Sequence, residues 1–310
     1  MRGKPWRWSA SVFGAAAMTI AVGTVEVRAG QRQEAVPAPV DVTTALSRAA
    51  ERVEEFFARA QSLVCTETVH VQPLSYGLSG EGFGRTVESE LRLSWTPGDD
   101  GTAATEAQAR RQVMRVNGHA PRKNDRNNCT TPERHDTETQ VLSMLLASQR
   151  DDYTWTMAGA GKVDKRAVLL VDFREKARLS LEVTVDDDDE DCLTYRIKGG
   201  MRGRLWIDAE SYDVLRLDQR LSGQAEAPMP KRLQRRVGAS PTMLVERFET
   251  SYRFRRMEFD EPEEAVVLPV SSTSLRVTQA SATSRTRVTT EYKKYRRFLT
   301  AGRLVPPGPQ

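Results

Sequence analysis

The sequence predicts a mainly β, α+β fold: a large antiparallel sheet with one N-terminal helix and one short second helix lying over it. Three observations predict it. Apolar residues recur at three to four positions over only one long stretch, from Val42 to Leu63. After it the period drops to two, in a succession of short runs separated by turn-forming residues. No helices alternate with those runs, so the chain lacks the crossovers that a parallel, doubly wound sheet needs.

Taken in order, residues 1–29 read as a cleavable leader. Arg2, Lys4 and Arg7 form a positive start, Val12 to Val22 an apolar core, and Val27-Arg28-Ala29 a cleavage site, so the mature chain is expected to begin at Gly30. An apolar run of about a dozen residues falls short of the roughly 20 that span a bilayer, and no later segment comes closer. Residues 30–40 form a polar, Pro-containing linker, and residues 41–300 a single domain. Asp41 is placed to cap a helix in which Val42, Leu46, Ala49, Val53, Phe56, Ala60 and Leu63 share a face, ending near Gln61.

Strands are expected at 86–95, 111–116, 153–158, 163–173, 179–185, 193–198, 203–208, 212–221, 244–259, 264–279 and 284–299. A short helix at 138–149 interrupts them, carrying Val141, Leu142, Met144, Leu145 and Leu146. Turns are expected at Gly98 to Gly101, Gly159-Ala160-Gly161 and Gly199-Gly200, with a basic loop at 223–242. In 244–259 the apolar phase passes from Phe248, Tyr252 and Phe254 to Met257 and Phe259, which predicts a β-bulge at Arg255-Arg256. The Pro-rich end, residues 301–310, reads as a disordered tail.

Charge narrows the partners. The chain has 46 Lys and Arg against 42 Asp and Glu; the leader holds four of the bases and one acid, which leaves 42 against 41. A net charge of +1 gives no reason to expect nucleic acid. Of the three cysteines, Cys129 and Cys192 lie in polar, loop-like stretches where a disulfide can form in an oxidising compartment. Cys65 lies in an alternating run, SLVCTETVHV, that points a small side chain into a core.

Catalytic patterns are scarce. Gly77-Leu78-Ser79-Gly80-Glu81 lacks the closing glycine of a nucleophile elbow, and Arg85 stands where Gly80, Gly82 and Gly84 would need a dinucleotide-binding glycine. The histidines, His70, His119 and His135, share no metal-binding spacing, and Cys129 with His135 is an incomplete zinc set. The acidic run Asp186 to Asp191 lacks the glycine and alternation of a calcium loop and reads as a solvated turn. Asp208 and Glu210 fall at a hairpin corner, where acids commonly serve the turn. Tyr292-Lys293-Lys294-Tyr295-Arg296-Arg297-Phe298 reads as a last strand with aromatics inward and cations in water. These residues predict no enzyme, no metal and no cofactor.

At Gly203-Arg204-Leu205-Trp206-Ile207-Asp208, followed by Val214-Leu215-Arg216, the chain resembles the G-x-[LI]-W-[IV]-D…V-x-R strand–turn–strand of the periplasmic lipoprotein-carrier half-barrel fold shared by LolA, LolB and RseB. Leu268-Pro269 and the closing Tyr292, Tyr295, Arg296 and Phe298 agree in order, as they do in exported bacterial proteins with these late motifs. The resemblance implies a strongly curved antiparallel sheet whose hollow, lidded by helices, holds acyl chains, in the periplasm or outside the cell. On the alternation of the strands, Val87, Leu91, Leu93 and Trp95 would line that hollow, and Trp155, Met157, Leu205 and Ile207 would continue it. Two functions stay open. One is a non-enzymatic binder of a lipid or a lipoprotein acyl chain. The other is an envelope protein-interaction module whose helices plug the sheet and leave no cavity.

Overall fold

In a computed structural model of the protein, residues 40–59, 63–95, 107–122, 125, 138–185, 193–232, 234, 240–260, 263–280 and 282–297 are described. Helix α1, Val42–Arg59, starts where expected. Asp41 Oδ1 accepts the Thr44 amide at 3.0 Å and its Oδ2 accepts the Thr44 hydroxyl at 2.6 Å, satisfying a donor the first turn leaves orphaned. The helix buries Leu46, Ala49, Val53, Phe56 and Phe57 against the sheet. Burial of side chains this size is worth about 1.5–3 kcal/mol each, which outweighs the few tenths that propensity supplies per residue.

The strands are β1 (Leu63–Pro73), β2 (Arg85–Trp95), β3 (Ala107–Val116), β4 (Tyr153–Val163), β5 (Arg166–Glu175), β6 (Ser180–Val185) and β7 (Leu193–Lys198). They continue as β8 (Met201–Asp208), β9 (Val214–Leu221), β10 (Ala225–Pro228), β11 (Thr242–Asp260), β12 (Glu263–Gln279) and β13 (Thr283–Arg297). All pairings are antiparallel. The main sheet is a large, curved, open one in the order β3-β2-β1-β13-β12-β11-β9-β8-β5-β4, with β10 added to β11, and β6–β7 is a separate hairpin. The chain thus builds one edge first, crosses to the other through its short helix, and returns until β13 pairs with β1.

One face carries the core. There α1 and a 3₁₀ helix at Glu138–Leu145 lie over Leu63, Cys65, Leu91, Val171, Leu205, Leu217 and Leu268, and the single turn α2 (Ala147–Arg150) follows without burying a residue. Farther along, β6 and β7 lie over Leu221, Ala225, Ala227, Met243 and Val245. This is the curved sheet with an N-terminal and a short second helix that the sequence predicts.

Three local expectations need correction. Gly159-Ala160-Gly161 is no turn: β4 runs through it with a register shift between Met157 and Gly159. The hairpin closes at Asp164-Lys165, whose φ values of 48° and 70° make the primed turn that matches strand twist, at a dipeptide without the usual glycine. The bulge expected at Arg255-Arg256 lies at Arg253/Phe254, and the extra residue, Val270, belongs to β12. The expected helix at 138–149 is mostly 3₁₀.

The last strand keeps Tyr292 and Tyr295 inward through a device the pattern conceals, while Phe298 lies outside the described residues. Tyr292 and Tyr295, three residues apart, would face opposite sides of a regular strand. A register shift opposite Val64/Thr66, with Lys294 at φ 56°, turns both toward the core, where the Tyr295 hydroxyl donates to the Pro269 carbonyl at 2.7 Å.

Candidate functional site

The predicted groove residues do not form one open hollow. Leu91, Leu93, Leu205 and Ile207 are 2% exposed or less and are packed in the core beneath the helices. Trp155 and Met157 are half-buried against the same core. The Trp155 indole donates to the Arg150 carbonyl at 3.0 Å, and its ring packs with Tyr153 and Phe173. Val87 is buried elsewhere, in a cross-strand row with Val69 and Val116. The Trp95 side chain, Cys129, Cys192, His135 and the acidic run lie outside the described residues. The helices cover this face with their own apolar side chains, Leu46, Val53, Phe56, Leu142 and Leu145 among them.

A cavity opens on the other face of the sheet. It holds about 810 Å³ over β4, β5, β8, β9, β11 and β12. Period-two geometry explains its lining: Leu205 and Ile207 point into the core, so Arg204 and Trp206 point away. The register then stacks alternate residues into cross-strand rows. One row reads Thr156, Asp172, Arg204, Asp218, Ser251 and Thr273. Its charges alternate and pair. Arg204 Nε and Nη2 donate to Asp172 at 2.5 and 2.9 Å, and Ser251 Oγ donates to Asp218 at 2.7 Å. Hydrogen bonding to Asp172, partly offset by desolvation, holds the Arg204 guanidinium above its ordinary pKa. Asp218 also accepts two bonds from Arg216, which lies 4.5 Å over the Trp206 ring.

The neighbouring row is different. Thr154, Arg174, Arg202, Arg220, Glu249 and Leu275 stand in register, and three successive strands each present an arginine. Glu249 is bound by Arg247 at 2.8 and 3.0 Å. Thus carboxylates engage the first row while the second keeps an excess of cation.

The hairpin corner between β8 and β9 is structural. Asp208 is 2% exposed and accepts the Glu210 and Ser211 amides at 3.1 and 2.8 Å and Arg166 at 2.8 Å. Asp213, 1% exposed, holds Arg256 through both its oxygens. The Arg52 guanidinium from α1 donates to the Ser211 carbonyl at 3.0 Å, which ties the helix to this corner. Among the described residues no group of His, Cys, Asp and Glu is arranged to hold a metal ion.

No family model and no curated relative matches the chain. Solved structures do. A DUF1329 family protein from Desulfovibrio piger aligns at 11% identity over 84% of this chain and 94% of its own, with a TM-score of 0.42. A LolA superfamily protein from Nitrosomonas europaea aligns at 9% identity over 82% and 94%, with a TM-score of 0.33. The MucA/MucB complex of Pseudomonas aeruginosa gives 10% identity over 84% and 100%, with a TM-score of 0.22. Likenesses this distant carry no residue or role over to the present chain.

Proposed function

We propose that this protein is a non-catalytic binding protein that takes an amphiphilic, lipid-derived ligand into the open cavity on the face of its sheet opposite the described helices. The observation that carries the reading is the cavity itself. Its volume of about 810 Å³ is of the size small-molecule sites have, and its lining combines Trp206 and Leu275 with arginine, threonine and serine side chains. An acyl part of the ligand would lie on the apolar patches and a polar part on the rows beside them. No lining residue is a histidine or cysteine, and Asp172, Asp218 and Glu249 each bind an arginine, so the reading is one of holding rather than chemistry.

Binding of a fluorescent fatty-acid probe tests it. Wild-type protein is expected to take up the probe, and Trp206→Ser to lose most of that binding with an unchanged melting temperature. Leu93→Asp is no test of the groove, because a charge placed at this core position would unfold the protein. The competing reading, a protein-recruiting edge, draws on β4, whose eleven residues pair with β5 alone. Failure of the wild type to bind any acyl probe would put that reading in front.

A further inference from the structure

From the second row of the cavity we infer that Arg174, Arg202 and Arg220 form a subsite for a ligand group carrying two or more adjacent oxyanions of the phosphate type. The inference rests on the cavity being the binding site and names the chemistry of the ligand's polar end.

Arg174 faces Arg202 and Arg202 faces Arg220 in register, on strands about 5 Å apart. Like charges directly opposite one another destabilise a sheet, and proteins ordinarily interleave them with carboxylates. The adjacent row does so, through Asp172, Arg204 and Asp218. Among the described residues, the three guanidinium groups of the second row have no ion-pair partner. Arg202 Nε is moreover buried without any hydrogen-bond acceptor, an unmet donor on a wall of the cavity. A missing acceptor and an uncompensated row of cations point to the same thing, an anion.

The geometry selects its kind. The row spans about 10 Å from first to last strand, more than one small anion bridges, and long side chains from three strands can converge on two neighbouring groups. The guanidinium fork matches the paired oxygens of phosphate. A diphosphate carries about three negative charges near neutral pH, enough to offset the row. Such a group can come from free diphosphate or from the headgroup of a phosphorylated lipid.

The test is titration calorimetry on the full mature protein with three probes: pyrophosphate, dihexanoyl glycerol pyrophosphate and dihexanoyl phosphatidylcholine, the lipids kept below micelle formation. Pyrophosphate is expected to bind, and the glycerol pyrophosphate lipid to bind at least about tenfold tighter than phosphatidylcholine, the scale of a charge-assisted contact. Arg202→Gln should erase that preference and weaken pyrophosphate by a similar factor, whereas Arg196→Gln, on β7 away from the cavity, should change neither. Without anion, Arg202→Gln should melt no lower than wild type, since it removes a repulsion. Arg220→Gln, whose side chain is exposed, replaces it where Arg202→Gln fails to fold. Equal binding of both lipids by wild type, unaffected by Arg202→Gln, overturns the subsite and leaves the binding cavity standing. Binding of pyrophosphate alone keeps the subsite, assigns it to a free anion and removes the amphiphile reading.

Discussion

Cys65 is 1% exposed and lies two residues before Glu67 on a strand whose inner face is core. Burial, reinforced by the Glu67 charge, pushes its thiol up from 9.0 to about 12. The neutral form is therefore the folded one. The stabilisation is complete below the unfolded thiol's pKa and is lost as pH rises from about 9 toward about 12. Iodoacetamide at pH 8 should leave Cys65 unmodified in native protein and alkylate it in denaturant; native labelling read by mass spectrometry would refute this. Glu67 itself is 2% exposed and binds Arg111 Nε at 2.7 Å and Nη2 at 3.1 Å. A buried pair is expensive to break and cheap to replace. Arg111→Met should cost about 3–5 kcal/mol in urea unfolding, and adding Glu67→Leu should recover most of it. A double variant no better than the single would show that Glu67 serves another partner.

Among the elements, β8 and β9 show most directly how a short motif acts through space. Gly203 opens the G-x-L-W-I-D stretch, and a Cβ there would stand 1.9 Å from the Asp218 carbonyl and 2.7 Å from the Phe173 ring. The glycine lets the Phe173 ring pack over the backbone on the core face, directly behind the strands that carry the arginine row. Gly203→Ala should force β8 from β9, cost about 1–3 kcal/mol and weaken anion binding without touching an arginine. Calorimetry and thermal melting together check it, and an unchanged melting temperature would show that the strands yield easily. Helix α1 was legible at its start, since its cap and the stripe from Leu46 to Phe56 are local; its end was overrun, because Leu63, read as the last residue of the helix face, opens β1. The β4–β5 hairpin was not legible. Glycines at 159 and 161 read as a turn, whereas the φ > 0 pair fell on Asp164-Lys165 because the facing strands fixed where the chain must reverse.

At the scale of the molecule, no described helix is long and apolar enough to cross a membrane. The expectation of export rests on the leader, and peptide sequencing of protein recovered from the cell envelope should find Gly30 at its start; Met1 there would refute cleavage. In that compartment Cys129 and Cys192 should pair, closing a loop of about 64 residues worth roughly 4 kcal/mol in the chain-entropy account. Non-reducing peptide mapping should recover the two segments joined, and separate peptides from oxidised protein would rule the bond out.

Strand periodicity, one capped helix and the lack of alternating helices determined the fold class, because each depends on residues close in sequence. They also placed Leu91, Leu93, Leu205 and Ile207 on one inward face. Whether that face enclosed a ligand or the protein's own helices was beyond them, since a groove and a core have the same apolar alternation. Tertiary packing decided for the core. It also decided where the cavity lies, since Arg174, Arg202 and Arg220 are 28 and 18 residues apart in the chain and become neighbours only through β5–β8–β9 register. In sequence each looks like one more charged residue on a wet strand face. A row of like charges exists only once strand pairing fixes which residues stand opposite one another.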